Sequence, residues 1–274
     1  MKEHIRNDGR GIISYHAIAN LINSIGPINH GLYKCVEDCR VCDAIVDYGG
    51  WDVVGPATEE YLKYVHGLFS QKYNLILMDP PWKFNKRNTN TKFGGGASSK
   101  YAMMSKSQLI SMKSIINKIA DDNCILLMWT LGSRKDQAID IVREWGFTYV
   151  TEPYSWIKMQ NGAIIDGSHG ISGKTDHGTG TYTATAKEDI IMARKGSVKK
   201  FLQERLVPQV IFAEIGGHSA KPKEAMSRIQ RTFGDIPRIE MFAREATDGW
   251  NATGLEYDGV DIMNMNYLLP SDSL

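Results

Sequence analysis

Nowhere in the 274 residues do about eighteen apolar residues run together, which leaves no candidate for a membrane-crossing helix. The opening stretch MKEHIRNDGRGII is charged and no long apolar run follows it. A secretory leader is therefore not read there, and a cytoplasmic location is expected, or a nuclear one in a host with a nucleus. Excess charge of either sign is also missing. The balance of 32 basic against 31 acidic residues gives a net charge of +1, so attraction for a polyanion has to come from a local patch. Four cysteines are too few to staple a chain of this length, and without a secretory signal they are expected as thiols. No G-x-G-x-x-G follows an apolar strand and no G-K-[ST] phosphate loop is read, which argues against a dinucleotide or a nucleoside triphosphate as ligand. No internal repeat is visible.

What is present is an ordinary globular composition, 42% hydrophobic and 23% charged, with ample material for a core. From about residue 73 strand and helix signals alternate. YNLILM (Tyr73–Met78) and CILLMW (Cys124–Trp129) are apolar on both faces, as strands of a parallel sheet covered by helices must be. Further strands are expected over 154–158, 190–194, 210–214 and 238–244. Helices are expected from a cap at Ser105 or Ser107 through Leu109, Met112, Ile116 and Ile119; from Ala138 to Trp145, with Gly146 as the stop; and over 222–233, stopped by Gly234. This alternation implies an α/β fold, a mostly parallel sheet flanked by helices on both faces. Two long polar stretches, 85–100 and 161–187, are expected as flaps over one crevice, because long loops at strand ends in such folds carry function. Gly94–Gly96 reads as a hinge in the first flap. The expected organisation is a mainly helical segment over 1–70, packing on or beside the core, then a catalytic domain over 71–262 and a tail over 263–274. In the first segment, Ile18, Leu21, Ile22 and Ile25 and the stretch TEEYLKYVHGLF fit a helical cap better than a helix-turn-helix reader.

The chemistry concentrates in LILMDPPWKF, residues 75–84. Asp79 leaves the carboxyl end of a buried strand, which in an open α/β sheet points into the ligand crevice. Pro80 and Pro81 fix their own backbone and donate no hydrogen bonds, leaving a rigid row of acceptors made of a carboxylate and a carbonyl. Such a row suits a group that donates two hydrogens, namely an exocyclic amino group. Its nitrogen is a poor nucleophile while its lone pair is conjugated with the ring. Holding both hydrogens favours the pyramidal form and aims the lone pair at an electrophile. Trp82 offers a flat face for a base, an interaction worth about 1–3 kcal/mol.

A series of short motifs follows in fixed order: DPPW, KYAMMS (Lys100–Ser105), LLMWT (Leu126–Thr130), EWGF (Glu144–Phe147), WIKM (Trp156–Met159), GTGTYTATAKE (Gly178–Glu188), HSAKP (His218–Pro222), IEMFAR (Ile239–Arg244) and GW….GLE (Gly249–Glu256). In this order they resemble the DPPW-type adenine N6-methyltransferases, the family of the messenger-RNA adenosine methyltransferase catalytic subunit and of bacterial and phage relatives acting on DNA. The resemblance covers Tyr73 to Glu256. It implies a Rossmann-like methyltransferase fold with the catalytic motif ahead of the cofactor segments. It also implies S-adenosylmethionine as donor and direct in-line transfer without metal to the N6 amino group of adenine.

By motif position, Asp79 and the Pro80 carbonyl would hold the amino group, with Pro81 stiffening the turn, and Trp82 and Tyr101 would hold the base. Lys221 would pair with the donor's carboxylate, and Glu240 and Arg244 would face the donor from a strand end. Glu256 would accept from the ribose hydroxyls. Many relatives have asparagine before that last position where this chain has Leu255, so Asn251 is offered as its substitute. For the aspartate that relatives place near the donor's adenine, Asp43 and Asp52 are the candidates. Glu188 matches a position near the same cleft. Lys83, Lys86, Arg87, Lys92 and Lys100 fall in a stretch without an acid and suit phosphates, and Arg194, Lys195, Lys199, Lys200 and Arg205 form a second basic patch. Nucleic acid is the expected partner, DNA rather than RNA, since the chain is compact and shows no appended RNA-binding module. A homodimer or heterodimer is implied by the habits of relatives.

The alternatives are an RNA adenine N6-methyltransferase, a cytosine N4-methyltransferase, and a non-catalytic scaffold subunit. Relatives with cytosine specificity more often carry serine for the aspartate, and scaffolds lose the aspartate or the aromatic residue. Asp79 therefore argues against both, and Trp82 against the scaffold as well. Cys35, Cys39 and Cys42 have the spacing of enzymes that split S-adenosylmethionine at an iron–sulfur cluster, but the chain has too few βα units for their barrel. The cluster reads otherwise as a zinc site completed by His30 or as buried thiols, with the thiols preferred.

Overall fold

In a computed structural model the protein is described over residues 3–5, 12–14, 63–83, 103–166, 170–176, 178, 182–217, 220–255 and 257–258. In chain order the elements are β1 (Glu3–Ile5), β2 (Ile12–Ser14), helix α1 (63–70), β3 (Tyr73–Met78), α2 (Lys106–Ser111), α3 (Lys113–Ile119), β4 (Ala120–Thr130), α4 (Lys135–Glu144), β5 (Thr148–Met159), β6 (Ile164–Asp166), β7 (Gly170–Ser172), β8 (Lys187–Lys195), β9 (Val210–Glu214), α5 (Lys223–Phe233), β10 (Arg238–Met241) and β11 (Asn251–Thr253). They belong to two compact units, one of 73–110 with 120–238, the other of 1–72, 111–119 and 239–274. Among the described residues no helix is long and apolar enough to cross a membrane.

The first unit is built on strands in the order β3-β4-β8-β5-β9. β3 pairs with β4, and β5 with β9, in parallel, while β8 runs antiparallel to both β4 and β5. Four strands therefore point one way and one returns. Leu75–Met78 and Cys124–Thr130 are buried without interruption, as their double-sided apolar sequence requires. β5 tolerates Pro153 because its register with β8 shifts between Tyr149 and Thr151 and again between Thr151 and Tyr154. Such irregularities are where a strand can carry a residue with no N–H.

The helices end where their sequence says they should. Ser105 and Gln108 form a reciprocal cap: the Gln108 N–H donates to Ser105 Oγ (3.3 Å) and the Ser105 N–H to Gln108 Oε1 (2.9 Å). The single helix expected beyond that cap is two short ones, α2 and α3, broken by a turn at Met112. α4 stops at Gly146, whose φ of 86° lets its N–H reach the Arg143 carbonyl (2.9 Å) and the Phe147 N–H reach that of Val142 (2.9 Å). α5 buries Ala225, Ile229 and Phe233, one stripe at helical spacing, and ends at Gly234 with φ 71°. Its contact with the sheet includes the Tyr154 hydroxyl, which donates to the Arg228 carbonyl at 3.1 Å.

The second unit contains the antiparallel pair β1–β2 and the parallel pair β10–β11. Val65, Leu68 and Phe69 of α1 and Ile115, Ile116 and Ile119 of α3 are buried. Tyr64 donates to the Ala252 carbonyl or to Asp258 Oδ2, both at 3.1 Å, and Asp258 Oδ1 also receives the Gly254 N–H (3.0 Å). The strand expected over 238–244 ends early, because Phe242 turns to φ 62° just past β10. The Ile18–Ile25 helix and the flap over 85–100 lie outside the described residues. The second flap, expected without regular structure, contains the hairpin β6–β7.

Trp145 and Trp156 are the largest fully buried side chains among the described residues, and the Trp145 indole N–H donates to the Leu109 carbonyl at 3.0 Å, tying α4 to α2. Trp145→Ala should lower unfolding stability by about 3–5 kcal/mol in urea titration. Trp145→Phe, which keeps most of the ring but leaves that carbonyl without its donor, should cost about 1–2 kcal/mol.

Candidate active site

The carboxyl ends of β3, β4, β5 and β9 line one edge, and the antiparallel β8 begins there. Register decides what faces the crevice. Glu188 pairs with Trp156, and Ile190 with Trp129, whereas Asp189 pairs with both Ser155 and Thr130. Side chains alternate along each strand, so Trp129, Trp156, Lys158 and Glu188 share one face while Thr130, Ser155, Lys187 and Asp189 take the other. Asp79, one residue beyond the Met78–Met128 pair, falls on the face of Trp129.

On that face four charges alternate in a chain. Lys221 Nζ lies 2.6 Å from Asp79 Oδ2 and 3.2 Å from Glu188 Oε2, and Lys158 Nζ holds the other Glu188 oxygen at 2.5 Å. Tryptophans wall them. Lys221 sits over the Trp129 ring (5.4 Å to its centroid) and Lys158 over Trp156 (5.2 Å), and the two rings meet edge to face at 6.4 Å. Burial alone would discharge Lys221, but Asp79 and Glu188 outweigh it and raise its pKa above the ordinary lysine value. Burial likewise favours neutral Glu188, and the charge of Lys221 with the hydrogen bond from Lys158 overcomes it, so its pKa is lowered.

The DPPW turn is pinned from several sides. The Trp82 N–H donates to the Pro80 carbonyl at 2.9 Å, closing a three-residue turn about Pro81 and leaving that carbonyl one lone pair. Strand-like bonds join it to Met104, whose N–H donates to Pro81 O (2.7 Å) and whose carbonyl receives the Lys83 N–H (3.0 Å). The Trp82 indole donates to the Trp129 carbonyl at 3.2 Å, and Arg134 grips the Lys83 carbonyl at 2.7 Å. Trp82 is only 7% exposed, so most of its ring is packed in the protein.

Asp79, Lys221 and Glu188 are thus brought together. Glu240 stands in β10 opposite Ala252, Asn251 opens β11, and Arg244 follows the Phe242 turn, all in the second unit. Lys83 is exposed. Of the second basic patch, Lys195 lies over the Phe147 ring at 4.8 Å and Lys200 over Phe201 at 5.0 Å. Tyr101, Lys86, Arg87, Glu256, His30, Cys35, Cys39, Cys42, Asp43 and Asp52 lie outside the described residues. Among the described residues no three His, Cys, Asp or Glu side chains gather as a metal site would need. Gly173-Lys174-Thr175, a fragment of a phosphate-loop signature, leads into isolated strand bridges rather than a helix. Lys158, Trp129 and Arg134 were not singled out as site residues from sequence. Trp156 and Lys158, two apart in a strand, were a usable signal for the first of them.

Residues 73–256 match the MT-A70 family. The chain belongs to that family. This MT-A70 chain is 30% identical over 200 residues to the type II methyltransferase M.MunI of Mycoplasma sp, covering 68% of this chain and 78% of that one. It is 24% identical over 206 residues to METTL3 of Homo sapiens, an N(6)-adenosine-methyltransferase catalytic subunit, covering 74% of this chain and 31% of METTL3. Over 196 residues it is 25% identical to the MT-A70-like N(6)-adenosine-methyltransferase of Drosophila melanogaster, 28% of which is covered. This chain therefore spans less than a third of these two adenosine methyltransferases. Its mostly parallel sheet with one antiparallel strand is a Rossmann-like methyltransferase arrangement.

The site has a pH signature. Because the folded-state pKa of Glu188 is depressed, its stabilising contribution is complete above the unfolded glutamate value of about 4.3 and is lost as pH falls through the folded value. Glu188→Gln should therefore be less stable than wild type at neutral pH, and the gap between their urea midpoints should narrow below about pH 4.5. A gap independent of pH would show that Glu188 is not held as a carboxylate.

Proposed function

We propose that the protein is an S-adenosylmethionine-dependent methyltransferase that places a methyl on the N6 amino group of adenine in nucleic acid, with DNA preferred. One observation carries this reading: within an MT-A70 chain, the DPPW turn fixes Asp79 at the carboxyl edge beside a partly buried ammonium, Lys221. DNA is preferred because the type II methyltransferase matches with the higher identity and over most of its length. METTL3 is by name a subunit, and assembly with a second chain, identical or different, belongs to the same proposal.

The donor carries a carboxylate, and the residues present fit it. Lys221 is a cation only 19% exposed on its side chain, kept charged at the crevice edge between two carboxylates. S-adenosylmethionine supplies an electrophilic methyl on a sulfonium. Lys221 would hold its carboxylate and, in doing so, would release Asp79. Asp79 and the remaining lone pair of the Pro80 carbonyl would then accept the two amino hydrogens of adenine and turn the nitrogen lone pair outward. The assignment of Glu240, Arg244, Asn251 and Glu256 to the donor rests on motif position, as does that of Tyr101, Lys83, Lys86 and Arg87 to the nucleic acid. The packed Trp82 ring contributes by holding the turn, and with 7% of the residue exposed it has little surface left for a base.

The test is transfer of labelled methyl from S-adenosylmethionine to matched DNA and RNA oligonucleotides, single and double stranded, with products digested to nucleosides. N6-methyladenine should appear in DNA and fall at least about 100-fold in Asp79→Ala, the size of effect expected when an aimed acceptor is removed. Methylcytosine as the product, or a chain that binds no donor, would sink the reading.

A further inference from the structure

The stretch after β7 is strapped to the active site by its backbone. The Gln160 N–H donates to Lys174 O (2.9 Å), the Asp176 N–H to Lys158 O (2.8 Å), and the Lys158 N–H to Ala186 O (2.8 Å). Gly178 and Thr185 then exchange both of their backbone hydrogen bonds, at 3.0 and 3.1 Å. Both legs of this loop are thus fastened to one residue, Lys158, whose ammonium holds Glu188. Between the legs comes Tyr182, 96% exposed. An aromatic ring left in water contributes nothing to the fold, and here it is carried by a base anchored at the catalytic edge. Beyond Asp176 at the foot of its first leg, the loop from His177 to Lys187 contains no carboxylate, so its outer part does not repel a phosphate backbone.

We propose that Tyr182 is a stacking platform for an unpaired base of the nucleic acid that flanks the target adenine. A ring face is sequence-tolerant, because every base has a π-face, so Tyr182 holds the strand without reading it. The inference rests on the functional reading above for its polymer, yet binding alone can be measured without methyl transfer.

Binding of labelled oligonucleotides, single stranded and containing adenine, is followed by fluorescence anisotropy for wild type, Tyr182→Ala and Tyr182→Phe. Loss of one stacked base weakens binding by about 5- to 150-fold in Tyr182→Ala, while Tyr182→Phe, which keeps the ring, stays near wild type. Turnover then separates the two claims. Methyl transfer with the KM for oligonucleotide raised, and the KM for the donor unchanged, supports both. Transfer with an unaltered oligonucleotide KM in Tyr182→Ala overturns the platform and leaves the methyltransferase standing. Ring-dependent binding without any transfer keeps the platform and defeats the catalytic reading. A change of oligomeric state in Tyr182→Ala, measured by light scattering, overturns the platform in favour of a contact between copies of the chain.

Discussion

The ammonium of Lys221 is the keystone of the site. Asp79 follows the end of β3 and Glu188 belongs to β8, and the two would repel one another across the carboxyl edge; one cation between them turns that repulsion into two attractions. Lys158 adds the second positive charge, so two acids meet two bases and the set is neutral. Neutrality matters because these side chains keep only 12–23% of their surface exposed, and an unpaired charge there would be costly. The tryptophan walls attract cations through their ring faces, which gives each lysine a seat as well as a partner.

That arrangement depends on one strand running backwards. β8 enters the edge where β4 and β5 finish, so its opening residues, Lys187, Glu188 and Asp189, arrive where the other strands deliver their last. Adjacent acids in a strand must point to opposite faces, and a slip of one residue would exchange them. Glu188 would then leave the crevice and Asp189 would enter it, with a side chain one methylene shorter.

The sequence made most elements from Tyr73 onward readable, because buried strands such as Leu75–Met78 and stops such as Gly146 and Gly234 are local signals. The DPPW turn was equally plain as a rigid display of acceptors. What stayed hidden is what register alone determines. Nothing in WIKM or TAKED states that Trp156 faces Glu188, or that Lys158 reaches the same carboxylate as Lys221, 63 positions further along. The short α2–α3 break and the hairpin within the second flap were missed for a related reason. Helical spacing continues across Met112, and polar glycine-rich sequence does not distinguish an open loop from one strapped to a neighbouring strand.

The register has its own lock on the reverse face. Asp189 is fully buried, accepts from the Ser155 hydroxyl at 2.7 Å, and is bridged by Lys187 (3.0 Å) and Lys135 (3.1 Å), the latter also paired with Glu152 at 2.7 Å. Burial would favour the neutral acid, but Ser155, Lys187 and Lys135 together lower its pKa and keep it charged. Ser155 belongs to β5 and Lys135 to the start of α4, so this one carboxylate fastens β8 to a neighbouring strand and to a helix. A slipped β8 would bury a charge without these partners, a penalty far larger than the loss of an exposed ion pair. The geometry of Glu188 in the crevice is therefore set by the residue beside it, which faces away from the crevice altogether.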